Sequence, residues 1–168
     1  MATKNKYPNI KVQVSCVPNL EKEIKQVFFD CLTDYSERFK VEVTKDKVNV
    51  SICFIEYPDP YEYDMEAGTS HGMTIWHDDS KNKLLIQVRD PFLNDWENNY
   101  YVLQQFLCIM CHEFVHACQH LTGRDKLKSY KVPHDKKSDR EKYFFDPSEI
   151  EARMFEVPYM CMYCGPLL

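Results

Sequence analysis

No stretch of this 168-residue chain approaches eighteen consecutive apolar residues, so no membrane-spanning helix is expected. The opening residues, MATKNKYPNIKV, lack the apolar segment of a secretory signal. Positive charge is not in excess either: 21 Lys and Arg against 26 Asp and Glu leave a formal charge of −5. A dedicated nucleic-acid binder usually carries a basic face, and this balance argues against one. The lysines between Asp125 and Lys142 are interleaved with acids and read as a solvated loop. No repeat, low-complexity tract or second domain is visible. The expectation is a cytoplasmic protein with neither a nucleic-acid nor a membrane partner, its oligomeric state left open.

What remains is an ordinary globular composition, with 44% hydrophobic and 28% charged residues in a length suited to one domain, residues 1–168. Eight cysteines could suggest a disulfide scaffold. However, Cys53, Cys108 and Cys118 fall inside apolar periodic segments, where a free thiol packs as a small hydrophobe. A reducing compartment is the better reading. Cys108 with Cys111 and Cys161 with Cys164 have the spacing of a four-cysteine zinc site. The first pair lies on the apolar side of a helix and reads as packing; the second stays open to metal or redox chemistry.

Hydrophobic periodicity gives the order of elements. IKVQVSCV, residues 10–17, alternates like a half-buried strand, and residues 19–40 then repeat apolar positions at helical spacing. KVNVSICFIEY, residues 47–57, is a second strand. After a loop rich in Pro and polar residues, GMTIWH and KLLIQV make a plausible antiparallel hairpin. The longest apolar-periodic segment, roughly Trp96 to Leu121, ends at Gly123 in a helix-stop position. A polar loop over 124–145 precedes DPSEIEARMFE, where Asp146 can cap, Pro147 suits the first turn and Glu149 is the third helical residue. The sum is one α+β domain. Residues 1–97 hold a small mixed or antiparallel sheet and a helix, 98–123 the long helix, and 146–168 a last helix and tail.

The chemistry centres on HEFVH, residues 112–116. Helical positions four apart lie one above the other, so His112 and His116 can point imidazole nitrogens at one ion. Glu113, a step around the helix, is poised as the carboxylate that takes the proton from a metal-activated water and returns it to a leaving amine. The zinc ion of such a site has a third protein ligand. His120 continues the series but stands about 12 Å from His112 along the axis, too far for one ion. His134, Glu149 and Glu151 remain. Glu149 and Glu151 are two apart, about 200° around a helix, and cannot both face the metal. Glu149 could instead form a capping box with Asp146. Against that, Glu149, Ala152, Arg153 and Glu156 share one side of the helix, and the small alanine would allow a close approach to the helix bearing the histidines.

HEFVHACQ, followed by a polar segment and PSEIEAR, resembles the gluzincin-type zinc metallopeptidases encoded by phages and bacteria, with their HExxH and downstream Glu-x-x-Ala helix. The likeness covers His112 to Arg153 only. It implies a zincin-like fold and a single Zn2+ held by His112, His116 and Glu149. It further implies Glu113 as general base and a protein or peptide substrate whose peptide bonds are hydrolysed. His134 as third ligand would instead give the three-histidine site of SprT-like proteases. A non-catalytic zinc-binding interaction domain is the reading from another class. The His-x-x-Gly-x-x-His extension of the metzincins is missing, since ACQHLT follows His116. Tyr130, His134 and Tyr143 are candidate oxyanion donors. GMTIWH is a candidate sheet edge for a substrate peptide, with Ile75 and Trp76 equally suited to the core and His71 and His77 at its polar ends.

Overall fold

The computed structural model describes residues 6–15, 20–56, 72–76, 82–90, 100–124 and 146–167. Its strands are β1 (Ile10–Ser15), β2 (Val48–Glu56), β3 (Gly72–Trp76) and β4 (Lys83–Asp90). Its helices are α1 (Glu21–Phe39), α2 (Tyr100–Thr122) and α3 (Pro147–Tyr163), followed by a 3-10 turn at Gly165–Leu167. Each element lies within the segment that its periodicity indicates, except that β4 runs two residues beyond KLLIQV, to Asp90, and α2 one residue beyond Leu121. Trp96, expected to open the long helix, lies outside the described residues.

The sheet has the order β1-β2-β4-β3. β1 and β2 run parallel, as do β2 and β4, with Val50 opposite Leu84 and Ile52 opposite Ile86. Only β3 is antiparallel, pairing Thr74 with Ile86 at the edge of β4. The sheet is therefore mixed and mainly parallel. Parallel neighbours need a crossover connection, which α1 supplies between β1 and β2.

One face carries the core. Val48, Val50, Ile52 and Phe54 on β2, with Leu84, Ile86 and Val88 on β4, are buried at alternate positions. From α1, Ile24, Val27, Phe28, Cys31, Leu32 and Tyr35 face inward at helical spacing. α2 presents Phe106, Met110, Phe114 and Cys118 to the same core. The ring of Phe114 meets Phe28 edge-on at 5.2 Å, and Phe106 lies 5.1 Å from Phe54. α2 is thus clamped between sheet and α1 on its apolar side, leaving its histidine side to α3. Among the described residues, no helix is long and apolar enough to cross a membrane.

The ends of α2 and α3 follow local rules with one exception. Gly123 ends α2 with φ of +69°, and its N–H donates to the His120 carbonyl at 3.1 Å. That left-handed conformation favours glycine on backbone grounds alone, because an added Cβ would meet nothing within 4 Å. Gly123→Ala is accordingly expected to cost about 1 kcal/mol, read as a lower urea midpoint with an unchanged slope. Asp146 caps α3, its carboxylate accepting from the Ser148 N–H at 2.8 Å. α3 then runs through Pro158, which lacks an N–H and would normally end a helix. Burial beyond the proline offsets that: Tyr159 is fully enclosed and donates to Asp34 of α1 at 2.9 Å, and Met160 and Cys164 are also buried.

Candidate metal centre

α2 carries His112 and His116 on the side that faces α3. Their Nε2 atoms stand 3.1 Å apart. Glu149, in the first turn of α3, places one carboxylate oxygen 3.3 Å from His112 Nε2 and the other 3.2 Å from His116 Nε2. Among the described residues this trio is the one group of three or more His, Cys, Asp or Glu side chains converging closely enough to hold an ion.

The geometry permits a test of fit. Zinc bonds to histidine nitrogen and carboxylate oxygen are about 2.0–2.2 Å, so a tetrahedral ion needs its ligand atoms roughly 3.3 Å apart. The two histidine nitrogens, 3.1 Å apart, come close to that requirement; Glu149 meets each ring with a different oxygen, and with one ligand atom per residue the three lie within 4.8 Å of one another. Two imidazoles and a carboxylate also suit zinc chemically, and three protein ligands would leave a fourth position open.

The histidine rings are held from behind. His112 Nδ1 lies 3.0 Å from a carboxylate oxygen of Glu156, two turns after Glu149 on the same side of α3. His116 Nδ1 lies 2.9 Å from the side-chain oxygen of Gln119. Contacts of this kind fix ring orientation and direct Nε2 toward the shared centre. Burial alone lowers the basicity of His112. Hydrogen bonds to Glu149 and Glu156, with the negative charges of Glu113 and Glu149, outweigh it and raise the pKa to about 9. For His116, burial is likewise outweighed by Glu149 and Glu113, and the pKa is raised.

Glu113 is 5% exposed, and its charge acts on both histidines. His120 does not belong to the converging group, in keeping with the axial rise of the helix. Glu151 turns away from it. Its carboxylate accepts from the Tyr35 hydroxyl, from Arg124 Nη2 at 2.7 Å and from Gln119 Nε2 at 3.2 Å. Gln119 also donates to the Ser148 carbonyl at 3.0 Å, so it joins His116 to the start of α3. Arg124 completes the network, donating to Tyr35 at 3.0 Å and lying 4.0 Å over the Phe39 ring. Glu149 is not diverted into a capping box: Asp146 caps α3 through Ser148, and the Glu149 carboxylate lies at the histidines. Ala152, one turn on, is fully buried in the core.

Glu156, Gln119, Tyr35 and Arg124 were not singled out as site residues from sequence. Glu156 had a signal, since it shares the face of Glu149. Tyr35 had none, standing 116 residues from Glu151 in the chain. Replacing Glu156 with alanine is expected to weaken zinc binding by about 10–100-fold, measured by competition with a chromogenic chelator.

His71, His77, Tyr130, His134 and Tyr143 lie outside the described residues, as do the side chains of Ile75 and Trp76. Cys108, Cys111, Cys161 and Cys164 do not gather into a four-thiol site: Cys108 is half-buried with its thiol 3.6 Å from Met160 Sδ, Cys161 is exposed, and Cys111 and Cys164 are buried. Compared with family models, curated proteins and solved structures, the chain matches none.

Proposed function

We propose that the chain is a zinc-dependent metallopeptidase of gluzincin type, with a minimal zincin-like fold. The observation that carries this reading is the convergence of His112, His116 and Glu149 donor atoms within 4.8 Å of one another, with Glu113 adjoining them on α2. Zinc held there supplies Lewis acidity, both toward a water and toward a scissile carbonyl. His112, His116 and Glu149 bind it, and Glu156 and Gln119 orient the two rings. Glu113 accepts the proton of the attacking water on its carboxylate and passes it to the departing amine nitrogen. A buried, structural ion would have no need of a carboxylate in that position, and this favours the enzyme over a non-catalytic zinc-binding domain.

Substrate peptide would lie along β3. Among the described residues that strand is at the edge of the sheet, contacts α2, and pairs with β4 on one side. An extended peptide added to its other side would be bound by main-chain hydrogen bonds. The Glu149 geometry favours this class over an SprT-like site, which would use His134. The experiment is zinc analysis of the purified protein with a peptide-library digest, before and after chelation. We expect about one zinc per chain and cleavage that chelation removes and added zinc restores. Cleavage that persists without metal would overturn the assignment.

A further inference from the structure

A second chemical feature lies behind the candidate metal centre. Cys111, the residue before His112, and Cys164, which caps the end of α3, are both fully buried, with sulfur atoms 3.6 Å apart. Cys31 of α1 is also fully buried and lies near enough to act on the Cys111 thiol. Three buried thiols thus come from α1, α2 and the end of α3. Buried thiols commonly pack as small hydrophobes. Here two of them already touch, at the end of a helix. Disulfide sulfurs stand about 2.05 Å apart, so bond formation needs an approach of roughly 1.5 Å. Rotation about the side-chain bonds and a small movement of the residues ending α3 can supply it.

We propose that Cys111 and Cys164 form a redox-modification site, converted to an intramolecular disulfide by a small peroxide. Neither thiol is exposed, so the oxidant must be small and uncharged, as hydrogen peroxide is. One cysteine sulfur attacks the peroxide; the O–O bond breaks, an S–O bond forms, and water leaves with the thiol proton. The second sulfur then attacks the first; the S–S bond forms, the S–O bond breaks, and a second water leaves. Two thiols lose two electrons and hydrogen peroxide gains them. The bond ties the residue just after α3 to α2 next to His112, and it holds the helix that carries Glu149 and Glu156 against the helix that carries both histidines. The thiol chemistry does not depend on whether the centre binds zinc.

The test treats the reduced, folded, full-length protein with hydrogen peroxide, blocks remaining thiols, and maps peptides without reduction. The expected result is a linked pair containing Cys111 and Cys164, 2 Da lighter than the two free peptides together. The apparent Tm should rise by about 10 °C, reversed by a reductant, because the bond closes a long loop in the unfolded chain. Cys164→Ser should lose both the link and the rise. The wild-type map decides without the variant. Cys111 and Cys164 recovered as free or over-oxidised monothiols would overturn the proposal. So would Cys111 linked to Cys31, Cys164 linked to Cys161, or a link found only between two chains.

Discussion

Glu113→Gln should lower kcat/KM in a peptide-library digest by about 10²–10⁴-fold while leaving zinc content unchanged. The substitution nearly conserves shape, and Glu113 is not one of the three converging donors. It removes only the ability to hold a proton on a carboxylate. At 5% exposure there is little room for bulk water to deliver and remove the proton instead. The comparison is informative because the same residue admits a bland account: a buried glutamate whose charge balances two histidines. On that account the variant would bind zinc differently, and no catalytic step would be lost. Equal cleavage by the two proteins, or none by the wild type, would leave the non-catalytic zinc-binding domain as the better reading.

How far the sequence was legible depended on how local each feature is. His112 and His116 share a face because helix geometry alone puts them there, and the structure adds a separation of 3.1 Å between their nitrogens. The mutual exclusion of Glu149 and Glu151 was equally local, and the two carboxylates do face different partners. Which of them faces the histidines was a different matter. It depends on how α3 lies against α2, for which the sequence offered Ala152, a shared helical side and a resemblance. The parallel register of β1, β2 and β4 was not legible, since strand alternation identifies a buried face without naming the neighbour or its direction. Continuation of α3 through Pro158 was also hidden. Local rules penalise it, and the compensation comes from Tyr159 bonding to Asp34, 125 residues away. The outer contacts of the candidate site follow the same division, with Gln119 three residues from His116 but Glu156 44 residues from His112.

The paired variants Glu149→Ala and Glu151→Ala should separate metal binding from stability, although the two residues are neighbours on one helix. Glu149 contributes a carboxylate that spans both histidines, so its removal should weaken zinc binding by more than the ~10–100-fold expected for Glu156 and leave the purified protein without zinc. Loss of its charge also frees Arg153, 3.9 Å away, from one ion-pair partner, a minor effect at a partly exposed site. Glu151 accepts from Tyr35, Arg124 and Gln119 on the opposite side of α3, where α1, α2 and α3 meet. Its removal should leave Arg124 without that carboxylate and cost about 2 kcal/mol, below the full penalty for a buried pair because both side chains keep some exposure. For a chain of this length that corresponds to a Tm lower by about 4–8 °C. Zinc content measured by mass spectrometry should stay near that of wild type, with at most a modest loss through Gln119 and His116. Full zinc occupancy in Glu149→Ala would remove the third ligand from the proposed centre. Zinc loss confined to Glu151→Ala would mean that the helix presents its other face to the ion.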